Sequence, residues 1–252
     1  VALTDEPIKK KRPLMTVLKI TLVIIPTALF SIWGYQQYER YKGVQVYKTA
    51  FQYELEYAEL GVLNSQVFVA RAYDEGFQTE INKAEAVKWY TKAATQSHAE
   101  AQYQLGQHYL NGEGVPRDDR EGYIWVQRAS FKEYAPAEYR LGQLLCEGRG
   151  IEANCADGIK QIEKAAGRNY PAAQIELAER LEKGEGIEAD PVRAYVLYAL
   201  AHDARHADEK TLPPSPDLQR LELRLTPEQL AAAQSEFEAR RLPRNAKRRF
   251  LF

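Results

Sequence analysis

A period of 36 residues runs through this chain and leaves little freedom in what it can fold into. Gly76, Gly112, Gly148 and Gly184 stand at that interval, and so do Val69, Leu105, Leu141 and Leu177, and Ala93, Ala129, Ala165 and Ala201. A fixed period of this size marks a solenoid, because each unit is too small to bury its apolar face alone and buries it against its neighbours. Stacked units present a long surface, which suits recognition of another macromolecule.

Each position in the period has a local reason. Asn82, Asp118, Asn154 and Asp190 also recur every 36 residues, and Asn and Asp cap helix N-termini because a side-chain oxygen accepts from an orphan backbone N–H. Asp190 is followed by Pro191, and proline at the first helical position loses no hydrogen bond. The glycine six residues upstream of each cap suits a left-handed C-terminal cap. Each unit therefore reads as helix A, a short turn, then helix B. In the second unit Ala101, Leu105, Gly106 and Tyr109 share one face of helix A. Positions 70, 106, 142 and 178 are Ala, Gly, Gly and Ala, which predicts close helix approach there. Helix B carries Ala86, Trp89, Tyr90 and Ala93 in the first unit, matched by Gly122, Trp125, Val126 and Ala129 in the second.

These residues resemble the Sel1-like repeat family, a relative of the tetratricopeptide repeats. The family pattern A-x-x-x-L-G-x-x-Y-x-x-G-x-G-V followed by an aspartate appears as Ala101, Leu105, Gly106, Tyr109, Gly112, Gly114, Val115 and Asp118. Its A-x-x-W-Y-x-K-A-A run appears as Ala86, Trp89, Tyr90, Lys92, Ala93 and Ala94. The match covers residues 44–204, with repeats at 64–98, 99–134, 135–170 and 171–204. Gln78 and Thr79 replace Gly-Val in the first repeat, and Gln161 and Leu197 replace tryptophan in the third and fourth. The resemblance implies an all-α, right-handed α-solenoid of TPR-like helix-turn-helix repeats, used for protein–protein assembly and without catalysis.

The solenoid's ends need shielding. Shifting helix B of the first repeat back one period lands on residues 46–61, so segment 36–63 reads as a connector and an N-terminal capping helix. Residues 205–239 read as a Pro-containing linker and C-terminal capping helices. Three prolines in 212–216 break the helix, and Ser215-Pro216 and Thr226-Pro227-Glu228 signal new starts. Leu230, Ala233 and Phe237 supply the apolar face of the last cap.

Residues 14–35 are almost wholly apolar and about 20 residues long, enough to span a bilayer core. The basic segment 1–13, with Lys9, Lys10, Lys11 and Arg12, precedes them, and Trp33, Tyr35 and Tyr38 stand at the far interface. This reads as a transmembrane signal-anchor helix. The competing reading is a cleavable secretory signal, but Phe30-Ser31-Ile32-Trp33 offers no small-x-small cleavage site. The positive-inside rule keeps 1–13 in the cytoplasm and puts the repeats across the membrane, in the periplasm of a bacterium. Membrane-anchored members of the resembled family are often found there.

A net charge of −1 hides an acidic body, since residues 44–239 hold 21 basic and 32 acidic groups. That argues against nucleic acid, which requires a basic footprint. The tail 240–252 holds Arg240, Arg241, Arg244, Lys247, Arg248 and Arg249 and ends in Phe250-Leu251-Phe252. It reads as a solvated end, or as a segment that touches anionic headgroups or a groove. Cys146 and Cys155, the only cysteines, flank the turn of the third repeat. Antiparallel helix ends bring α-carbons within disulfide reach, and an oxidising compartment favours the bridge. Their spacing excludes a CxxC redox or metal site.

His202 and His206 share a helical face at i and i+4, but a zinc-hydrolase helix also needs a glutamate base and a third ligand. They read as surface or packing histidines. The Gly112-Glu113-Gly114, Gly148-Arg149-Gly150 and Gly184-Glu185-Gly186 triplets lack the strand and third glycine of a dinucleotide fingerprint, and read as turns. No enzyme, cofactor, metal or small-molecule substrate is expected. The expected partner is a protein, met on the helix A face that holds Arg71, Tyr103, Gln107, Tyr139, Gln143 and Glu179. The chain then reads as a membrane-anchored adaptor. Two further readings stand beside it: an integral subunit of an envelope complex, using Thr16, Thr21, Thr27 and Ser31 in the membrane, and a cell-wall glycan binder.

Overall fold

The structure, a computed structural model, describes residues 51–206 and 215–241. The chain divides into two compact units, Val1–Tyr53 and Glu54–Phe252. The expected basic terminus 1–13, the anchor 14–35 and most of the connector fall outside the described residues. Among those described, no helix is long and apolar enough to cross a membrane.

The second unit is all helix, with no strand among its described residues. After a helical stretch over 54–59 come α1 (Leu63–Glu75), α2 (Lys83–Thr95), α3 (Ala99–Asn111), α4 (Asp119–Ser130), α5 (Ala135–Glu147), α6 (Cys155–Gly167), α7 (Pro171–Lys183) and α8 (Pro191–Arg205). Two more, α9 (Pro216–Glu222) and α10 (Pro227–Arg240), follow. Each helix from α1 to α8 packs on the next, and α9 and α10 both pack on α8. That neighbour-on-neighbour order makes a solenoid of four helix pairs.

The caps are where the period places them. Asn82, Asp118, Asn154 and Asp190 each accept a backbone N–H of the first turn of α2, α4, α6 and α8. Gly76, Gly112, Gly148 and Gly184 close α1, α3, α5 and α7 with φ of 78°, 73°, 68° and 74°. A second glycine in each later turn serves packing as well: a Cβ on Gly150 would stand 2.1 Å from the Asp119 carbonyl oxygen. Gln78 occupies the corresponding place in the first repeat and still takes a φ of 61°.

Packing follows from small residues where helices cross. Val69, Ala70, Ala86, Ala93, Ala101, Leu105, Val126, Ala129, Ala137, Leu144, Ile162, Ala165, Leu177, Ala178 and Ala194 are fully buried. At the C-terminal end Leu221, Leu225 and Ala233 join the core of the last repeat, with Leu230 and Phe237 half-buried against it. The cap is also held by charge. Glu182 on α7 accepts from Arg220 Nε at 3.0 Å and Nη2 at 2.8 Å, and from Arg224 Nη1 at 2.6 Å.

The Arg220 hydrogen bond keeps the Glu182 carboxyl below its ordinary range against the opposing effect of burial. A carboxyl depressed in the folded state adds stability that is complete above its unfolded pKa of about 4.3 and is lost as pH falls through the folded value. Melting curves taken from about pH 6 to about pH 3 should therefore fall less steeply in Glu182→Gln than in the native chain. Parallel pH dependences would show that this link contributes nothing.

Of the basic tail 240–252, Arg240 is the last residue of α10 and Arg241 its C-cap. Arg240 pairs with Glu236 at 3.1 Å, and Arg241 pairs with Asp203 of α8 and with Glu238, each at 3.3 Å. The Arg241–Asp203 pair ties the end of the last helix back to the last repeat. Arg244, Lys247, Arg248 and Arg249 lie outside the described residues.

Candidate functional site

The expected partner face is built from one repeated pair. Tyr103 and Gln107 lie one turn apart on α3, and Tyr139 and Gln143 lie one turn apart on α5. The phenol oxygens accept from Gln107 Nε2 at 3.3 Å and from Gln143 Nε2 at 2.8 Å. Each ring meets a tyrosine from the start of the next helix A: Tyr103 meets Tyr134 at 5.6 Å and Tyr139 meets Tyr170 at 5.5 Å between centroids. Such tilted pairs add about 0.5–1.5 kcal/mol beyond area burial. Tyr103, Gln107, Tyr139 and Gln143 are therefore half-buried, not free on the surface.

Charged residues continue the row. Gln143 Nε2 also donates to Glu176 Oε2 at 3.2 Å, and Arg180 donates to Glu176 Oε1 at 2.9 Å and 3.2 Å. Arg71 pairs with Glu100, joining α1 to α3. Glu179 is exposed and borders a groove of ≈ 400 Å³ with Tyr139, Ile175, Glu176, Arg180 and Arg205. Desolvation pushes the phenol of Tyr134 up to about 12, and that of Tyr139 higher, with Glu176 beside it as the second cause. These phenols stay protonated at neutral pH and work as hydrogen-bonding, stacking groups. Tyr134, Tyr170, Glu176 and Arg180 were not among the residues expected here. The 36-residue spacing of Tyr134 and Tyr170 was the signal for the first two.

A second cluster sits where the turn of one repeat meets helix A of the next. Lys83 Nζ lies 2.7 Å from Asp74 Oδ1 and 3.5 Å from Glu113 Oε2. His108, only 4% exposed, places Nε2 3.4 Å from Asp74 Oδ1 and Nδ1 2.9 Å from the Glu113 carbonyl oxygen. One repeat further on, the position pair of Lys83 and Glu113 is filled by Asp119 and Arg149, 2.9 Å apart. The same inter-repeat link is made with its charges exchanged. Hydrogen bonds from Arg117 first and Arg149 second hold the Asp119 carboxyl far below the usual carboxylate range.

Two periods on from Asp74 and Lys83 stand Cys146 and Cys155, bonded as a disulfide with Cα atoms 3.9 Å apart. Arg180 Nη1 lies 3.8 Å from Cys155 Sγ. His202 and His206 stack at 4.5 Å between ring centroids. Among the described residues, the metal-capable group of three is a different one, Asp74, His108 and Glu113. Nothing in the sequence flagged it, because His108 occurs once in the period.

Comparison with known proteins agrees with this architecture. The pattern of the Sel1 repeat matches residues 63–98, 99–130, 135–170 and 171–206. A crystal structure of a protective antigen present in uropathogenic Escherichia coli strains, displaying an SLR fold, superposes with a TM-score of 0.64 at 28% identity. The likeness covers 75% of this chain and 40% of that one, so this chain spans well under two thirds of the antigen's length. A Sel1 repeat protein from Oxalobacter formigenes superposes with a TM-score of 0.60 at 22% identity, over 75% and 80% of the two chains, and shows the fold alone. No curated protein matches this chain.

Proposed function

From the premise that this chain belongs to the Sel1 repeat family, we propose that it is a non-catalytic scaffold that docks a protein partner on its helix A face. Residues 14–35 tether it to the periplasmic face of a bacterial inner membrane. The observation that carries this reading is the recurrence, one period apart, of a stacked tyrosine bonded to a glutamine, with charged groups on either side. Tyrosine and arginine are favoured where protein partners make their strongest contacts, and a fixed row of them positions an incoming chain with little loss of side-chain freedom. Tethering adds local concentration, so modest affinity suffices. The basic residues ahead of 14–35 support a cytoplasmic N-terminus, and the disulfide supports an oxidising compartment for the repeats.

A photo-crosslinking residue placed at Arg71 or Glu179 should give a partner adduct in membranes, while one at Arg120 or Lys160 on the helix B side should not. Equal adducts from both sides would remove the assignment of the face. Tyr103→Phe with Tyr139→Phe keeps the stacking and loses both glutamine contacts, so it should weaken the adduct yield several-fold with little change in melting temperature. The tether is checked separately: the full chain should stay in the pellet after alkaline carbonate extraction, and deletion of 14–35 should release it.

A further inference from the structure

We propose that Asp74, His108 and Glu113 form a binding site for a divalent first-row transition cation of the zinc class, which clamps the first repeat to the second. It is independent of the partner face. The argument begins with the histidine. The Glu113 carbonyl can only accept, so the 2.9 Å contact fixes the proton on Nδ1. Nε2 of the neutral ring is then a lone pair, and it faces the Asp74 carboxylate at 3.4 Å. Two acceptors then face each other at a residue that is 4% exposed, beside the Lys83 ammonium 2.7 Å from the same Asp74 oxygen, and either a proton on Nε2 or a cation between the two atoms satisfies them.

The geometry suits a metal. Two ligand atoms bound at about 2.1 Å to a tetrahedral ion stand about 3.4 Å apart, which is the separation of Asp74 Oδ1 and His108 Nε2. The Glu113 side chain is the third ligand: the three ligand atoms lie within 4.8 Å of one another, and its exposure leaves it free to close. A backbone carbonyl on the far ring nitrogen is the support that metal-binding histidines usually have. Imidazole with carboxylates favours Zn²⁺, Co²⁺ or Ni²⁺ over Mg²⁺ or Ca²⁺. Lys83 Nζ, near both carboxylates, marks where a cation is stable, and its side chain is 38% exposed. The ammonium can swing to solvent, protonated as before, and the ion takes its place. Two carboxylates and a neutral imidazole then balance the charge of +2.

The test uses the full, tag-free chain stripped with chelator and titrated with Zn²⁺ by calorimetry, with Co²⁺ absorption as a readout of tetrahedral ligation. One saturable site is expected, with a rise in melting temperature. Asp74→Asn and His108→Asn should each weaken Zn²⁺ at least tenfold, and Lys83→Met should tighten it several-fold by removing the competing ammonium. His202→Ala with His206→Ala should bind as the native chain does. Absence of saturable binding in both the native chain and Lys83→Met would overturn the proposal and leave an ion-pair cluster only. Binding that survives both Asp74→Asn and His108→Asn would overturn it equally.

Discussion

Gly158→Ala should lower the stability of this solenoid by about 2 kcal/mol or more, while Gly167→Ala, on the same helix, should raise it by about 0.5 kcal/mol. Both glycines lie in α6 and both gain the same methyl group. At Gly158 the new carbon would stand 2.6 Å from the Gly142 carbonyl oxygen and 2.7 Å from Cys146 Sγ. Neither neighbour is the free end of a flexible side chain: one is helix backbone and the other is held in a disulfide. At Gly167 no atom lies within 4 Å, and alanine only removes unfolded-state freedom. Alanine is tolerated at matching places elsewhere, since Ala70 with Ala86 and Ala178 with Ala194 are all fully buried. The residue type switches in pairs, with Gly106 and Gly122, and Gly142 and Gly158, in the two middle repeats. Urea unfolding followed by helical circular dichroism separates the two variants by the sign of the midpoint shift. Shifts of the same sign would contradict the close approach of α5 and α6.

What the period carried, and what it did not, divides by whether the backbone demanded one residue type. The A-to-B turn demands a cap acceptor and a left-handed residue, so Asn, Asp and Gly recur and the turn was legible. The B-to-A turn also holds a left-handed residue at one place per repeat, Ser97, Glu133 and Asn169, with φ of 67°, 59° and 61°. Only asparagine tolerates that region well, and so this turn left no trace in residue type. The partner face was half legible. The Tyr–Gln pair repeats, but the tyrosines that cover it stand ahead of helix A, and His98 takes that position in the second repeat. His98 serves there as an N-cap, with Nδ1 accepting from Ala101 N at 3.3 Å. The ion-pair links were legible only by superposing repeats, because Lys83 with Glu113 and Asp119 with Arg149 preserve the pairing and exchange the signs. The Asp74 and His108 contact joins residues from different repeats with no counterpart one period away, so no periodic reading could find it.

Reduction of the Cys146–Cys155 disulfide should cost the solenoid about 2–3 kcal/mol, the chain entropy released by opening a loop of about ten residues. The matching positions of the first repeat give a measure for comparison. There Asp74 and Lys83 are joined by an ion pair whose lysine is 38% exposed, and such a solvated pair contributes about 0–1 kcal/mol. The two staples hold the same junction between helix A and helix B, yet only the covalent one restricts the unfolded chain. Without reductant, iodoacetamide should label neither cysteine. With dithiothreitol it should label both, and the urea midpoint should fall. Cys146→Ser with Cys155→Ser should begin at the lowered midpoint and ignore dithiothreitol; a further fall in that variant would place the reductant's effect elsewhere. Arg180 sets how the opened pair behaves, since a guanidinium 3.8 Å from Cys155 Sγ favours its thiolate. Arg180→Gln should therefore slow iodoacetamide capture of Cys155 after reduction more than that of Cys146. Equal slowing at both sites would mean that the arginine acts only by holding Glu176.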